Sequence, residues 1–477
     1  VFKRSSRSLL EFLNSWICKG EVLDPMGEFF IKVNPECKEK EQQWKHGLNF
    51  YKNKVPCFID DSASQIIFTV GKVIRLLKKV DPNFNVTDVE PISLDELVSQ
   101  TTNLDLHMKL QKVYVERNKT LLDYLLKNNN IMEVLQFWRG AMLTTRGDLM
   151  KAFIISLDSE VGIQNLHKSL KHQILYSLDK AIRDTVKEDK VLMRMLGIVF
   201  TDMGSYQQVD INNPTIYLVN FTFSAENYDA PLNYFFTKEN VLMYQTCFRY
   251  LFTARVEHHE LVKLWRIHSQ SKVDRNPHIR ALLKVASLTR VKMLNFIEGI
   301  ISYWLYECVD HQWKLMTAKL ESANGLDDFL NAHESYLANL YLRICFVDQK
   351  APRESAQRKE RYDLLLSHIM ELIRTFRDLH NDIFSDLKKN LNMFEDGSID
   401  SIERLENPEY REIASISANN SIGLQRSMQE IDIKFGRCVI DFIEFVDDPA
   451  LIVKFDFNDY YKDMRSILNN RLGPGFY

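Results

Sequence analysis

Apolar side chains recur at helical spacing along one stretch of the chain with particular clarity. Between residues 241 and 252, large apolar residues return every three or four positions, which predicts an amphipathic helix with one face in a core. Arg255, His258 and His259 then interrupt this apolar stripe. Two interpretations of the polar break stay open: the helix emerges at a solvated surface there, or the break is a binding surface.

The same spacing predicts helices along most of the chain. The predicted segments are residues 9–17, 66–77, 104–126, 131–143, 149–157, 166–187, 278–322, 327–340, 362–391 and 425–446. If continuous, the segment 278–322 would be about 65 Å long. Only residues 217–223 and 231–236 suggest a hairpin. We therefore expect a mainly all-α protein of elongated helical bundles, with a small β-hairpin insertion in the C-terminal half.

The composition agrees with long helices and excludes several partners. Glycine (16) and proline (12) are few among 477 residues. The 61 Lys and Arg nearly balance 64 Asp and Glu, so the basic excess of a nucleic-acid-binding protein is absent. No apolar run reaches membrane-spanning length. We therefore expect neither nucleic acid nor a membrane as a partner.

Two further features concern the location and extent of the protein. The seven cysteines form no CxxC pair, and no signal peptide is recognisable, which predicts reduced thiols in the cytosol. The first residue is Val1 rather than Met, and a helix begins almost at once. We therefore expect the natural chain to start further upstream.

The sequence contains no motif for catalysis or for a cofactor. Gly71-Lys72 lacks the spacing of a phosphate-binding loop and lies inside a predicted helix. The pairs His259-Glu260 and His333-Glu334 lack the second ligand pair of a zinc site, which favours surface or interface histidines. No nucleophile motif occurs. We therefore predict a protein that is not an enzyme, with no cofactor and no metal.

Several elements, in order along the chain, resemble one family. The segment 16–31 joins a helix ending in Trp and Gly to Asp-Pro and Glu-Phe-Phe, and the segment 244–252 reads Tyr-Gln-x-x-Phe-Arg-Tyr-Leu-Phe. Met-Leu-Asn-Phe follows in the segment 293–304, and Phe-Asp-Phe-Asn-Asp-Tyr-Tyr occupies 455–461. These elements resemble the grip motifs of the gamma-tubulin complex component family, which includes yeast spindle pole body components. The Met-Leu-Asn-Phe form favours component 2, with component 3 as the other possibility.

The resemblance implies two helical domains and a non-catalytic scaffold. Residues 1–146 would form an N-terminal grip domain that makes lateral contacts with paralogous components, and residues 147–477 would form a C-terminal grip domain that binds gamma-tubulin. The chain departs from the family pattern at Leu149, where an aromatic residue is expected after Gly-Asp. Such a protein would array gamma-tubulin laterally in a ring or helix and template microtubule nucleation, touching the microtubule minus end only indirectly.

The resemblance and the residue types together suggest interface positions. Aromatic and arginine side chains are favoured anchors in protein interfaces, although each aromatic here could equally belong to a core. For gamma-tubulin binding we predict Gly147, Asp148, Arg249, Arg255, His259, Phe457, Asn458, Tyr460 and Tyr461. For the lateral interface we predict Trp16, Glu28, Phe29 and Phe30.

A different class of protein shares these general features. Tethering or adaptor subunits built as helical rods also have long amphipathic helices and balanced charge, and they would not bind gamma-tubulin. The resemblance favours the first interpretation, and it implies a cytoplasmic, cytoskeletal protein of a microtubule-organising centre, either a spindle pole body or a centrosome.

Overall fold

Amphipathic helices make up most of the protein, which confirms the mainly all-α prediction. The computed structural model describes residues 2–81, 91–93, 103–128, 130–163, 171–185, 196–200, 221–225, 228, 230–270, 277–345, 352–395 and 408–446. Within these ranges, none of the helices combines the length and the apolar character needed to cross a membrane.

In the N-terminal part, the described residues form four helices and a small sheet. Its helices are α1 (Phe2–Lys19), α2 (Gln43–His46), α3 (Asp61–Val80) and α4 (Asn103–Lys127). Strands β1 (Ile31–Val33) and β2 (Leu48–Phe50) pair antiparallel, and short 3-10 turns lie at Lys40–Gln42 and Lys52–Lys54. The sequence did not predict this sheet, because three-residue strands are too short to show an alternating pattern.

The described residues of the C-terminal part form further helices and a second sheet. In chain order the elements are α5 (Ile131–Met142), α6 (Gly147–Glu160), α7 (Lys171–Thr185), β3 (Leu196–Phe200), β4 (Phe221–Ala225), a 3-10 turn (Leu232–Tyr234), α8 (Lys238–Gln270), α9 (Pro277–Ser302), a π-helical segment (Tyr303–Asp310), α10 (His311–Glu321), α11 (Leu326–Ile344), α12 (Pro352–Glu395) and α13 (Pro408–Val446). The predicted helix 278–322 is therefore one helical run, in which a π-helical segment joins α9 to α10.

The predicted hairpin of residues 217–223 with 231–236 has the wrong partner. Residues 221–223 belong to strand β4, and residues 217–220 lie outside the described residues. Strand β4 pairs antiparallel with β3, with Phe200 opposite Phe221, and not with residues 231–236. The side chains from Leu232 to Phe236 are all buried, whereas a strand would send alternate side chains to opposite faces. A 3-10 turn winds this run inward, so the segment serves packing and not sheet pairing.

Trp16 is at the centre of the N-terminal core. Its indole is fully buried and donates a hydrogen bond from Nε1 to the carbonyl of Ile67 at 2.8 Å. The indole crosses α3 at Gly71, where a Cβ atom would lie only 2.1 Å from Cε2 of Trp16. Gly71 is therefore a packing residue, because any larger side chain would collide with the ring.

A second, larger core joins the N-terminal and C-terminal parts. Trp44, on α2, belongs to this core together with residues of α5, α8 and α11. Its indole Nε1 donates to Asp327 at 2.6 Å, and its ring lies 6.2 Å from that of Tyr234. Beside it, Lys45 bonds Glu334 at 2.5 Å. Packing and hydrogen bonds therefore hold the two parts together at a junction between α2, α11 and the 3-10 turn at Leu232–Tyr234.

Candidate protein-interaction surface

The turn between α5 and α6 places two predicted gamma-tubulin-binding residues at the surface. Thr144, within the turn, is buried and has a positive φ of 53°. Gly147 begins α6, and a Cβ atom added to it would meet nothing within 4 Å. The Asp148 side chain is 57% exposed and lies 3.4 Å from Arg146. Hydrogen bonding from the Leu149 amide lowers the pKa of Asp148, with the nearby Arg146 charge adding to it, so Asp148 is a carboxylate at neutral pH.

Arg255 of α8 approaches this turn from inside the protein. Its Nη2 donates to the carbonyl of Thr144 at 3.1 Å. The guanidinium is largely enclosed, and burial lowers its pKa. The structure therefore brings Arg255 together with Gly147 and Asp148, but in a different role: Arg255 fixes the turn, and Asp148 faces solvent.

His259 lies in a cluster of charged side chains between α6 and α8. Its Nε2 is 3.9 Å from Asp158, and the ammonium of Lys263 donates to the same carboxylate at 2.6 Å. Burial lowers the pKa of His259, and the negative charge of Asp158 partly offsets this shift. Glu260 is 6% exposed and its pKa is raised by burial. Although Asp158, His259 and Glu260 could supply metal ligands, Lys263 already provides a cation to two of them.

The remaining predicted gamma-tubulin-binding residues are separate from this turn or outside the described residues. Arg249 is half-buried on α8. Phe457, Asn458, Tyr460 and Tyr461 lie outside the described residues. For these five positions the interface assignment stays a prediction.

The predicted lateral residues divide into buried and exposed groups. Trp16, Phe29 and Phe30 are each at most 1% exposed in the N-terminal core. Glu28 is exposed, and its amide donates to Asp24 at 3.0 Å. The three aromatic rings are therefore closed to a direct partner contact in this conformation, because the core of their own chain covers them.

No sequence pattern marked the residues that hold the polar break in place. Asp158 and Lys263 are 105 positions apart, and Thr144 acts through a backbone carbonyl that any residue type would supply. Only the interruption of the α8 stripe marked the region. Contacts between distant segments cannot be read from spacing within one helix.

Comparison with known families matches both parts of the chain. The gamma tubulin complex component N-terminal model matches residues 1–128, and the gamma tubulin complex component C-terminal model matches residues 131–461. The chain belongs to the gamma-tubulin complex component family. The C-terminal match begins where α5 begins, and α5 packs into the larger core through Trp138, whose ring lies 4.5 Å from that of Phe236.

Individual relatives are distant and longer. Gamma-tubulin complex component 3 homolog of Xenopus laevis is 25% identical over 362 residues, which is 72% of this chain and 38% of that protein. Gamma-tubulin complex component 2 of Arabidopsis thaliana is 25% identical over 361 residues, 72% of this chain and 52% of that protein. Spindle pole body component alp6 of Schizosaccharomyces pombe is 22% identical over 370 residues, 75% of this chain and 43% of that protein. The chain thus spans about two fifths to one half of these relatives, and the choice between components 2 and 3 stays a prediction.

Proposed function

We propose that this gamma-tubulin complex component is a non-catalytic scaffold that binds gamma-tubulin and arrays it laterally to template microtubule nucleation. The observation that carries the proposal is the pair of family matches, which cover residues 1–128 and 131–461 in the family's order. The partners would be gamma-tubulin and paralogous components, in a ring or helical assembly. The site of action would be a microtubule-organising centre, as the name of the alp6 relative suggests for that protein.

The physical task of such a scaffold is to lower the cost of bringing several subunits together. Association consumes translational and rotational freedom before contacts compensate for it. A scaffold that holds gamma-tubulins side by side raises their effective concentration. The shared core at Trp44 suits this task, because it gives the lateral and gamma-tubulin-binding parts a fixed relation to each other.

For the gamma-tubulin contact we favour the exposed start of α6. Gly147 leaves open space for a partner's backbone or side chain, and Asp148 offers a carboxylate to a basic group. Arg255 would support this surface from behind through Thr144. Arg249, His259 and the four residues near the C-terminus are kept as further candidates, and Glu28 is the exposed candidate for the lateral contact.

Direct binding separates this proposal from the adaptor alternative. The whole chain, mixed with purified gamma-tubulin at micromolar concentration, should co-elute with it in size-exclusion chromatography. An adaptor rod predicts two separate peaks, and that result would overturn the proposal. The whole chain is needed because α5 lies in the same core as α8, so a fragment beginning after α5 would expose apolar surface. We also propose a domain boundary near residues 128–131, where the two family matches meet, as an alternative to the one expected at 146.

A charge reversal tests the surface at the start of α6. Asp148→Arg should weaken gamma-tubulin binding about tenfold, because a carboxylate at an interface that faces a basic group would become repulsive. Asp179→Arg is the matched control, since Asp179 is also about half exposed and also pairs with an arginine, Arg183. Equal affinities of the two variants, measured by surface plasmon resonance, would show that the start of α6 is not the contact.

For Arg255 and His259 on α8, gamma-tubulin affinity must be measured together with the stability of the variant. Arg255→Glu with His259→Glu should also weaken binding, but through loss of the Thr144 hydrogen bond and of the Asp158 cluster. The unfolding midpoint of the double variant should therefore fall by more than that of Asp148→Arg, which changes a side chain that is more than half exposed. If the double variant keeps full gamma-tubulin affinity while folded, neither residue serves the interface.

A further inference from the structure

A small cleft lies beside the junction of the N-terminal and C-terminal parts. It has a volume of about 150 Å³ and is bounded by α3, by the segment around β1 and α2, and by Tyr234 from the C-terminal part. Sites that hold drug-sized ligands are typically larger, about 300 Å³ or more. The cleft therefore suits a small ion or a single functional group, and not a nucleotide.

The lining of the cleft is strongly biased in charge. Lys72, Arg75 and Lys79 all line it, and their spacing along α3 places them on one helix face. None of the described lining residues is an aspartate or a glutamate. Three cations on one wall, with no carboxylate among the lining residues, give the cleft a positive potential that favours an anion.

The three cations differ in how far the protein already satisfies them. Lys72 is 11% exposed, with its ammonium 4.0 Å from the Trp44 ring centre and 3.9 Å from Asp327. Among the described residues, Lys79 donates to the neutral side-chain oxygen of Gln43, at 2.9 Å, and forms no ion pair. Arg75 is exposed and makes no ion pair within the described part of the chain. An anion would therefore meet two cations, Arg75 and Lys79, that no carboxylate of the described residues neutralises. Lys72 beside them is partly balanced by Asp327.

Neutral groups complete the wall opposite α3. Tyr234 faces the cleft, and burial raises the pKa of its hydroxyl to about 12. The hydroxyl therefore stays protonated at neutral pH and can donate a hydrogen bond. An arginine fork combined with lysine ammonium groups and a phenol suits a phosphate group, which carries more negative charge and more acceptor oxygens than a carboxylate.

We propose that this cleft binds a phosphate-type dianion, held by Arg75 and Lys79 with Lys72 behind them. The ligand is either free inorganic phosphate or a phosphomonoester such as phosphoserine, since both present the same oxygens. Because the cleft includes Tyr234 as well as α3, bound phosphate would bridge the two parts of the chain and stabilise their junction. This inference is independent of gamma-tubulin binding.

Isothermal titration calorimetry of the whole chain tests the proposal. Sodium phosphate should give saturable one-to-one binding at pH 7.5, against sodium chloride at the same ionic strength. O-phosphoserine with blocked termini forms a second arm. Binding of both identifies a phosphomonoester site, and binding of inorganic phosphate alone identifies a free-ion site. No saturable heat with either ligand would overturn the proposal.

Matched charge variants on the same helix locate the site. Arg75→Gln with Lys79→Gln should weaken phosphate binding at least about tenfold, a loss of about 1.4 kcal/mol. Arg75→Lys should fall between this variant and the unmodified protein, because it keeps the charge but loses the fork. The control is Lys78→Gln, which removes a cation of α3 that pairs with Glu21 and does not line the cleft.

The variants change side chains that are exposed, so they should fold normally. Their unfolding midpoints without phosphate should match that of the unmodified protein. Phosphate should raise the midpoints of the unmodified protein and of Lys78→Gln equally, and that of the double variant much less. Unchanged affinity in the double variant, or an equal loss in Lys78→Gln, would show that binding is not at this cleft.

Discussion

Gly71→Ala should destabilise the protein although alanine is the better helix former. An alanine Cβ would lie 2.1 Å from Cε2 and 2.2 Å from Nε1 of the buried Trp16 indole, whereas carbon atoms in contact prefer about 3.5–4.0 Å. The ring must therefore move by roughly 1.5 Å. That shift would break its 2.8 Å hydrogen bond to the Ile67 carbonyl, because no space for reorientation remains in a side chain that is 0% exposed.

The change in the free energy of unfolding follows from two destabilising contributions and one stabilising contribution. Overpacking of a filled core costs about 1–3 kcal/mol. A buried donor left without its partner costs about 1–3 kcal/mol more. The change from glycine to alanine within a helix returns about 1 kcal/mol. We therefore expect Gly71→Ala to lower the free energy of unfolding by about 3 kcal/mol, measured by urea denaturation followed by circular dichroism.

The control is a second helical glycine with no neighbour. Gly423 lies within α13, is exposed, and a Cβ atom on it would have nothing within 4 Å. Gly423→Ala should therefore raise stability by about 0.5–1 kcal/mol. If both substitutions shift the midpoint in the same direction, the close approach of Trp16 is not what selects glycine at position 71. Trp16→Phe should also reduce the cost of Gly71→Ala, because the smaller ring leaves room for the methyl group.

Two further residues give predictions from burial and hydrogen bonding. His333 is fully buried against the Tyr244 hydroxyl, and burial lowers its pKa to about 3. Between pH 7.5 and 5.5 the unfolded chain, with a His pKa near 6.5, takes up a proton that the folded chain does not. The free energy of unfolding should therefore fall by about 1 kcal/mol over this range. His333→Gln should flatten this dependence in urea titrations at both pH values, and an unchanged slope would contradict it. Trp44→Phe removes the donor to Asp327 and should cost about 1–3 kcal/mol; calorimetry showing an unaltered melting profile would argue against a role for this bond at the junction.

The helices could be predicted from the sequence because their signal is local. The segment 278–322 was expected as one helix, and the run from α9 to α10 occupies 277–321. Apolar spacing within a few turns decides such an element. The partner of β4 could not be predicted in the same way, since Phe221 pairs with Phe200 across an intervening segment. Local composition instead suggested residues 231–236, because aromatic residues are common in strands. Their side chains do not alternate between two faces as in a strand, since all of those from Leu232 to Phe236 are buried.

The candidate site shows the same limit at the level of single side chains. The break in the α8 stripe was visible in the sequence, but the direction of its side chains was not. Arg255 turns toward the Thr144 carbonyl and His259 toward Asp158, and both contacts join segments far apart in the chain. Asp148 is exposed in the first turn of α6, whereas the sequence predicted that this helix begins at residue 149.

The polar break in α8 is best explained as a place where the helix exchanges apolar contacts for buried polar ones. Glu257 is 0% exposed and accepts a hydrogen bond from Arg374 of α12 at 2.8 Å. Arg255 and Glu260 are likewise directed into the protein. Buried charges are costly unless they are paired, and removing one partner is more damaging than losing a surface charge. Substitutions on this face of α8 should therefore act first on stability, and a loss of gamma-tubulin binding that leaves the fold intact should come from Asp148 and its exposed neighbours.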